Sequence, residues 1–391
     1  MKRGPFFYFV YGIYRDLKYV YLLPAIYKRA SKKPIVKDKA VFVEFRLDKI
    51  SNSIRLLYDR LDKEGYKLSC HFLRKGFVGE IKHTINAIKY VKDAATAQIV
   101  VFDEGSEVAG CIKKRQSQKI INTWHGCGAF KRFGFSTVGM IFGDKMQNLL
   151  KYPSHPDYDM VTVSSDEVRW AYIEAMHKED NPGCIKDVGI SRTDVFFDDK
   201  YLKDARRRLL DAIPAAQGKK IILYAPTFRG RVSSAKAPDK LNIAMMKEAL
   251  SDEYILLIKH HPVVKVRPKI DKECSDFAFD VSDDLGIEEL IINADICISD
   301  YSSLIFEYSL FERPMIFFAY DKAEFDDWRG FYYDYDELTP GPVFEENEEI
   351  IDYILHIDDK FDINEVRAFK EKFMSACDGH ATDRIMEFIK R

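Results

Sequence analysis

The stretch AVFVEFRLDKISNSIRLLYDRLDKEGYKLSCHFL, residues 40–73, predicts the fold class of this chain. Its two ends, AVFVEF and KLSCHFL, are short apolar runs rich in β-branched and aromatic residues, as expected of buried strands. Between them, apolar residues recur at positions 54, 57, 58 and 61, which is the spacing of one face of a helix. A strand, a helix and a strand in succession indicate a βαβ unit within a parallel sheet that helices cover on both faces.

The same pattern continues along the chain and then starts again. In the first half, AQIVVF, KIINTW, DMVTVS and IKDVGI follow as strand candidates. After a charged helical connector at 198–212 come KKIILYAPT, YILLIKHHP, FAFDVS, DICISDY and MIFFAY, with the helical stretches IEELIINA and SSLIFEYSLFE between them. We therefore predict an α/β protein with two Rossmann-like halves, residues 40–200 and 201–391, whose parallel sheets face a central cleft that binds ligands at the strand ends.

Length and composition narrow the classes of function. A chain of 391 residues has room for two or three domains, and 47% of its residues are hydrophobic. With 60 Lys and Arg against 62 Asp and Glu, the formal net charge is -2, which does not indicate a nucleic-acid-binding protein. The 7 cysteines include no C-x-x-C pair, so neither a disulfide framework nor a zinc site is indicated, and a reducing cytosol is expected.

Residues 1–39 form a basic, aromatic segment. They hold ten Lys and Arg residues against two Asp, interleaved with the runs FFYFVYGIY and YVYLLPAIY. These runs are too short to span a bilayer, are interrupted by Arg15, Asp16 and Lys18, and lack the features of a cleaved signal peptide. The segment is predicted to lie on an anionic membrane surface; the alternative is a helix packed on the protein's own core with a solvated charged face.

Four predicted strands are each followed by polar or ionisable residues. His125 follows KIINTW, Arg229 comes shortly after IILYAPT, His260 and His261 follow YILLIK, and Asp300 begins the stretch DYSS after ICIS. Because the carboxyl ends of parallel strands meet at one edge of a sheet, residues in these positions are expected to form a site.

Two of these stretches predict anion-binding groups. In SDYSSLIFEYSLF, Ser302 or Ser303 is placed to cap the following helix, whose free N–H groups can hold a phosphate; a plain helix cap is the alternative. Glu307, one turn further on, is placed to reach a sugar hydroxyl. In KHHP, Lys259 and His261 alternate along an extended segment, so they are predicted to face an anion on the same side. The histidines of KHHP lack the spacing of a metal site.

His125 lies in NTWHGCGAFKRFG, between an apolar strand and a glycine-rich turn. Gly126 and Gly128 make a GxG element, but a dinucleotide fingerprint needs a third glycine where Lys131 stands, so that interpretation is weak. The glycines are expected to let a ligand approach the backbone beside the imidazole, which suits removal of a proton from a hydroxyl nucleophile. A turn that merely contains a histidine is the alternative. The absence of G-x-x-x-x-G-K-[ST], H-E-x-x-H and G-x-S-x-G motifs counts against an NTPase, a metalloprotease and an α/β-hydrolase.

Six motifs occur in order along the chain: WHG…KRFG, LYAPTFRG, LLIKHHP, ADICISDYSSLIFEYSLFERPMIFFAYD, RGFYYDY…PGPV and CDGHATDR. Together they resemble the CDP-glycerol glycerophosphotransferase family, which primes and polymerises wall teichoic acid and related poly(alditol phosphate) capsules. The similarity runs from about His125 to Arg384. It implies a GT-B architecture, with the activated donor on the C-terminal half and the acceptor approaching from the N-terminal half. It also implies peripheral attachment to the cytoplasmic face of the membrane through the N-terminal region.

The resemblance further implies roles for individual residues. His125 looks like the family's catalytic base, and His261 looks like a ligand of the donor phosphates that offsets charge on the transferring phosphoryl group. Lys259 stands where many relatives have Arg, so a bidentate phosphate contact would become a point charge. The other matched positions are expected to bind the donor phosphates (Arg229, Ser302, Ser303), the donor nucleotide or ribose (Asp300, Glu307, Arg329, Arg384) and the acceptor (Gly126, Lys131).

Two departures from the family pattern fall on the acceptor side. Many relatives carry W-H-G-T-P-L-K, whereas this chain has Cys127, Gly128 and an extra residue before Lys131. The stretch VFVEFRLDKISNS also lacks the serine- and glycine-rich element often found there. The identity of the acceptor is therefore what the resemblance determines least.

The implied reaction is in-line attack by an acceptor hydroxyl on the alditol-linked phosphorus of a CDP-alditol, with CMP as the leaving group. The acceptor is expected to be a lipid-linked polyprenyl diphosphate saccharide or a growing poly(alditol phosphate) chain. No carboxylate cluster calls for a resident metal ion, and Mg²⁺ on the donor diphosphate is left open. Glycerol phosphate is the expected group, and primase and polymerase are not distinguished. A CDP-ribitol enzyme, a GT-B glycosyltransferase using a nucleotide-sugar, and a scaffold without catalysis are the alternatives.

Overall fold

The computed structural model describes residues 5–74, 79–141, 143–231, 234–323 and 330–391. The chain divides into two compact units. The first unit comprises Met1–Gly126, Phe133–Asp194 and Ala376–Arg391, and the second comprises Cys127–Arg132 and Val195–Ser375. Each unit has its own sheet and its own layers of helices.

The first unit is built on a six-stranded sheet. Its strands are β1 (Val36–Glu44), β2 (Lys67–Phe72), β3 (Ala97–Phe102), β4 (Lys119–Asn122), β5 (Met160–Thr162) and β6 (Ile185–Lys186). All neighbours are parallel, in the order β2-β1-β3-β4-β5-β6. The helices are α1 (Pro5–Arg15), a π-helix (Asp16–Leu22), α2 (Leu23–Ala30), α3 (Asn52–Lys63), α4 (Gly79–Ala94), α5 (Met146–Lys151), α6 (Arg169–Met176) and a C-terminal helix (Ala381–Lys390).

The stretch at 40–73 folds as the predicted strand, helix and strand. Ile54, Leu57 and Leu61 lie on one face of α3 and are fully buried in the same cluster as Phe42 of β1. Removing each of these side chains from water contributes about 1.5–3 kcal/mol, which is why this periodic face decides the position of the helix.

The second unit has a six-stranded sheet as well. Its strands are β7 (Lys220–Tyr224), β8 (Tyr254–Ile258), β9 (Ala278–Asp280), β10 (Ile296–Ser299), β11 (Met315–Phe318) and β12 (Val343–Phe344). Its helices are α7 (Asp199–Ala212), α8 (Ile243–Leu250), α9 (Ile287–Asn293), α10 (Leu304–Tyr308), α11 (Asn347–Leu355), α12 (Ile357–Lys360) and α13 (Ile363–Met374). All neighbouring strands are parallel, in the order β12-β11-β10-β7-β8-β9. From β7 the chain adds strands on one side of the sheet up to β9, and from β10 it adds them on the other side. Ligands of such sheets bind outside the carboxyl ends of the strands at this switch point, here between β7 and β10.

The predicted fold class is confirmed. Every strand predicted from the sequence is present, within a few residues of its predicted bounds. The short strand β12 was not predicted, because its two residues follow PGP and do not form an apolar run.

Two stretches lie in a different unit from the one that the predicted boundaries imply. Ile385, Met386 and Ile389 of the C-terminal helix are buried with Phe42, so the chain end belongs to the first unit and not to the half at 201–391. The segment Cys127–Arg132 belongs to the second unit, where its backbone pairs with the stretch around residue 331. Both differences arise from contacts between residues far apart in sequence, which local patterns do not reveal.

The amino-terminal segment packs one face on the first unit and exposes an apolar face. Its buried residues are Lys18, Tyr19, Leu23 and Tyr27. The charged residues that interrupt its apolar runs each have a partner in the first unit: Arg15 with Glu107 at 2.5 Å, Asp16 with Tyr152 at 2.6 Å, and Lys18 with His83 at 2.8 Å. Strongly exposed apolar side chains include Phe6, Phe9, Ile13, Leu17 and Tyr21.

The packed-helix interpretation therefore describes the inner face of this segment, and membrane binding by the outer face stays a prediction. Within the parts of the chain that the structure describes, no helix is both long enough and apolar enough to cross a bilayer.

Candidate active site

His125 lies in a tight turn after β4. The side-chain oxygen of Asn122, the last residue of the strand, accepts a hydrogen bond from the Trp124 backbone N–H at 2.9 Å. Trp124 has φ = +52°, in the left-handed region that residues other than glycine rarely adopt. The centroids of the Trp124 and His125 rings are 4.6 Å apart. The turn thus fixes the imidazole at the carboxyl edge of the sheet, where α/β folds bind their ligands.

The hydrogen bonding of His125 defines its tautomer. Nδ1 lies 2.8 Å from the main-chain oxygen of Asp103, which follows β3. A carbonyl oxygen can only accept, so Nδ1 carries the proton and Nε2 keeps its lone pair. Burial lowers the pKa of His125 to about 3, and the charges of Arg46 and Arg192 act in the same direction. The ring retains some exposure to solvent, and it is neutral near pH 7 and able to accept a proton at Nε2.

Two buried acidic residues, Glu44 and Asp103, belong to the surroundings of His125, and neither was predicted from the sequence. Glu44 ends β1 and Asp103 follows β3, and both are almost fully buried. Glu44 Oε1 accepts the Ser51 N–H at 2.5 Å. Asp103 Oδ2 accepts the Ser51 hydroxyl at 3.1 Å and Arg46 Nη2 at 3.2 Å. Their positions at strand ends were the available signal, but a single carboxylate at a strand end is too common to be specific.

In the second unit, Arg229 ties several loops together. Its guanidinium donates to Asp300 at 2.9 Å, to Asp321 at 2.5 Å and to the Thr227 main-chain oxygen at 2.6 Å. Asp300 is buried and also accepts the backbone N–H groups of Thr227 and Tyr301, at 2.8 and 2.6 Å. Two residues expected to bind the donor are therefore paired with each other, and their contact with a donor stays a prediction.

His261 and Lys259 meet different surroundings. His261 is exposed after β8, and its Nδ1 accepts the Val263 N–H at 3.3 Å. In the neutral ring Nε2 therefore carries the proton, the opposite tautomer to that of His125. Lys259 Nζ donates to two main-chain oxygens in the loop after β9, at 2.8 and 2.5 Å, and burial lowers the pKa of this lysine. In this structure Lys259 braces a loop.

The residues at the start of α10 differ in their contacts and in their exposure to solvent. Ser302 Oγ accepts the Leu304 N–H at 3.3 Å, whereas Ser303 is exposed and its side chain makes no capping hydrogen bond. Glu307 is buried and accepts a hydrogen bond from the Cys127 thiol, with Sγ 3.7 Å from Oε1. Ser303 is thus the more accessible of the two predicted phosphate-binding hydroxyls.

The segment after His125 belongs to the second unit and packs tightly there. Gly128 has φ = +64°, and a Cβ at this position would come within 2.3 Å of the Phe306 ring. The expectation that this glycine leaves room for a ligand is therefore wrong, because close packing on α10 requires it. Lys131 forms an antiparallel bridge with Phe331, and its Nζ lies 3.5 Å from the Thr227 hydroxyl.

The remaining predicted positions are Gly126, Arg384 and Arg329. Gly126 is the last residue of its part of the first unit and is partly exposed. Arg384 is also in the first unit, where Nη1 donates to the main-chain oxygens of Ala376 at 2.9 Å and Val188 at 3.3 Å, so it fastens the C-terminal helix. Arg329 lies outside the described residues. Among the residues that the structure does describe, no group of three or more His, Cys, Asp or Glu is arranged to hold a metal ion.

The chain is similar in sequence to proteins named as teichoic acid primases and polymerases. A sequence model described as CDP-glycerol:poly(glycerophosphate) glycerophosphotransferase matches residues 25–391. The teichoic acid poly(ribitol-phosphate) polymerase of Bacillus spizizenii is 33% identical over 91% of this chain, which spans 56% of that protein. The teichoic acid ribitol-phosphate primase of the same organism is 30% identical over 91% of this chain and 92% of the primase. The teichoic acid glycerol-phosphate primase of Bacillus subtilis is 27% identical over 90% of this chain and 88% of the primase.

The fold matches solved structures of the wall teichoic acid polymerase TagF. One TagF variant aligns with a TM-score of 0.76 and 22% identity, covering 94% of this chain and 92% of that chain. The same variant after a soak with CDPG aligns with a TM-score of 0.75 and 23% identity, with the same coverage. These matches confirm the predicted GT-B-like α/β architecture, and at such identities they establish the fold alone.

Proposed function

We propose that this chain, a member of the CDP-glycerol:poly(glycerophosphate) glycerophosphotransferase family, transfers an alditol phosphate from a CDP-alditol. The acceptor in this proposal is a hydroxyl group of a teichoic acid precursor or chain. The observation that carries this proposal is the state of His125. Its ring is neutral, its Nδ1 proton is held by the Asp103 main-chain oxygen, and Nε2 remains as a proton acceptor. The names of the related primases and polymerases support the class of substrate.

In the proposed reaction, the acceptor hydroxyl oxygen attacks the phosphorus that bears the alditol. The new O–P bond forms in line with the breaking bond to CMP, which leaves with the bridging oxygen, and the hydroxyl proton passes to Nε2 of His125. Because burial holds the pKa of His125 near 3 in the free protein, the negative charge of the bound donor is needed to raise it during the reaction.

On the donor side, we propose that His261 donates from Nε2 to a phosphate oxygen. Its exposure and the Nδ1 hydrogen bond from Val263 support this role, and the exposed hydroxyl of Ser303 supports a second contact. Arg229 and Lys259 act indirectly in this proposal. Arg229 is hydrogen-bonded to the Asp300 carboxylate and Lys259 to the Ser282 main-chain oxygen, so each shapes a loop that we propose surrounds the donor.

Glycerol phosphate is the transferred group that we propose, and ribitol phosphate is the second candidate. The description of the matching family names glycerophosphate, and the teichoic acid glycerol-phosphate transferase of Staphylococcus aureus is 34% identical over 69% of this chain. The two ribitol-phosphate enzymes of Bacillus spizizenii are 33% and 30% identical over 91% of the chain, and this similarity is the reason that ribitol phosphate is kept as the second candidate.

We propose that the acceptor is lipid-linked and that the protein binds peripherally to the cytoplasmic face of the membrane. The support is the outward face of the amino-terminal segment, on which Phe6, Phe9 and Leu17 are strongly exposed while its interrupting charges turn toward the protein. Aromatic and aliphatic side chains on a helix that also carries basic residues suit the headgroup layer of an anionic bilayer.

CMP release by the purified full-length protein tests the proposed function. CDP-glycerol and CDP-ribitol are compared with a short lipid-linked acceptor, and a UDP-sugar serves as the competing donor. Turnover of either CDP-alditol supports the proposal, UDP release in its place indicates a glycosyltransferase, and no turnover of any donor indicates a scaffold. Repeating the active assay with EDTA decides whether Mg²⁺ on the diphosphate is needed.

A further inference from the structure

Asp103 connects His125 to the loop after β1. Its main-chain oxygen lies 2.8 Å from His125 Nδ1, and its carboxylate accepts Arg46 Nη2 at 3.2 Å and the Ser51 hydroxyl at 3.1 Å. The Asp103 side chain is only 1% exposed. The group that sets the tautomer of the imidazole is therefore a backbone carbonyl, and side-chain contacts hold that carbonyl in place.

Arg46 contacts both residues that flank this carbonyl. Its Nη2 lies 3.2 Å from Asp103 Oδ2 and its Nε lies 2.9 Å from Glu104 Oε2. The Asp103 carbonyl belongs to the peptide plane between residues 103 and 104, and that plane is rigid. An arginine that holds the side chains on either side of the plane resists its rotation, and the planar guanidinium suits two such contacts.

We propose that Arg46 is a positioning residue: by holding Asp103 and Glu104 it fixes the backbone carbonyl that keeps His125 in the tautomer with a free Nε2. The proposal rests on the proposed role of His125 as the base. Arg46 reaches no reacting atom in this account and acts through the peptide plane, and the Ser51 hydroxyl donates to the same carboxylate oxygen of Asp103 as Arg46 does.

The charges around His125 favour the neutral ring, in which Nε2 is free to accept a proton. Arg46 and Arg192 lower the pKa of the ring after burial, the largest cause. The acidic groups of this cluster are Glu44, Asp103 and Glu104, and burial raises the pKa of Glu44 to about 7 and that of Glu104 in the same direction. The charge of Arg46 thus adds to the effect of burial, which is the main reason that the imidazole is neutral.

Two substitutions separate these effects. Arg46→Gln removes the charge and both ionic contacts, whereas Arg46→Lys keeps the charge and loses the planar fork. Arg55→Gln is the matched control, since the Arg55 side chain is 45% exposed against 43% for Arg46 and pairs with one carboxylate on the same helix, Asp59.

The direct measurement is the tautomer and pKa of His125 from ¹⁵N chemical shifts of histidine-labelled full-length protein, assigned by comparison with His125→Ala. We expect a single Nδ1–H tautomer in the wild type and in Arg55→Gln. In Arg46→Gln we expect a mixture of tautomers and a raised pKa, and in Arg46→Lys a mixture with a smaller rise. With the substrate that the wild type uses, kcat should fall about 10-fold to 100-fold in both Arg46 variants while the KM for the donor stays unchanged.

An unaltered tautomer and an unaltered pKa in Arg46→Gln would overturn the proposal, as would equal losses of kcat in Arg46→Gln and Arg55→Gln. The spectroscopic comparison needs no turnover. If the wild type releases no CMP, the proposed function fails, and the tautomer of the two Arg46 variants still decides this inference.

Discussion

The backbone of Gly128 lies directly against the aromatic ring of Phe306. An added Cβ would come within 2.3 Å of the ring, and the glycine has φ = +64°. The second glycine of the GxG element therefore serves the packing of the segment Cys127–Arg132 on α10. This packing joins the stretch that follows His125 to the helix that begins near Ser303.

Gly128→Ala should destabilise the protein by about 2–4 kcal/mol, from left-handed strain plus overpacking of the Phe306 ring. Gly183→Ala is the control, because nothing lies within 4 Å of a Cβ at Gly183. Denaturant unfolding of both variants checks this prediction. Equal stability of the two would mean that the ring at position 306 moves aside at little cost.

Arg229→Ala should cost about 3–5 kcal/mol of stability, because it leaves the buried carboxylate of Asp300 and the partly exposed carboxylate of Asp321 without their counter-charge. Arg231→Ala, two residues along and exposed, is the control. Thermal and denaturant unfolding give the measurement. Adding Asp321→Asn to Arg229→Ala should recover part of the loss; a full loss of donor affinity with unchanged stability would instead indicate direct phosphate binding by Arg229.

His125→Ala should lower kcat for CMP release about 100-fold to 10,000-fold, the usual contribution of a positioned general base. His356→Ala, at an exposed histidine of the second unit, is the control. Binding of the CDP-alditol, measured by calorimetry, should be retained in both variants. Retained turnover in His125→Ala would remove the base from the proposed mechanism.

The pH profile offers an independent check of the same residue. A base must be neutral to accept a proton, and a ring with a pKa of about 3 in the free protein is neutral throughout the range in which the enzyme is assayed. We therefore expect no acid limb in kcat/KM from His125 between about pH 5 and pH 8. An inflection near the ordinary histidine value that disappears in His125→Ala would contradict the lowered pKa.

The stability of the first unit should depend on pH through Glu44. Burial and the charge of Asp103 raise the pKa of Glu44 from 4.5 to about 7. The folded state therefore binds this proton more tightly than the unfolded chain, so stability is lost as pH rises from 4.5 through about 7. Glu44→Gln should remove up to about 3 kcal/mol of that loss at pH 8 and change little at pH 4.

The exposed Glu371→Gln provides the comparison for Glu44→Gln, with denaturant unfolding at both pH values. If the stability difference between wild type and Glu44→Gln is the same at pH 4 and pH 8, the carboxyl of Glu44 is not the group that titrates.

The double substitution Phe9→Ser and Leu17→Ser should reduce binding to vesicles containing phosphatidylglycerol at least about tenfold, because each exposed side chain loses apolar contact with the bilayer. Val266→Ser, at a strongly exposed apolar residue of the second unit, is the control. Co-sedimentation with vesicles gives the bound fraction. Binding that survives the double substitution would place the membrane contact elsewhere on the protein.

Much of the fold could be predicted from local patterns. The apolar run at 97–102 became β3 with the same bounds, and the apolar positions of α3 became its buried face. His125 was identified because a histidine after a strand and before glycines is an unusual combination. Glu44 and Asp103 were missed, although they occupy comparable positions, because a carboxylate at a strand end carries no specific signal until its partners are known.

The sequence by itself determined the two α/β units and the family, since strand and helix periodicities and contiguous motifs are properties of neighbouring residues. Only the tertiary structure decided what the polar side chains do. Arg229 is paired with Asp300, Lys259 braces a loop, and Arg384 fastens the C-terminal helix to the first unit. The physical reason is that the partner of a charged or hydrogen-bonding group can lie anywhere in the chain, and folding alone brings the two together.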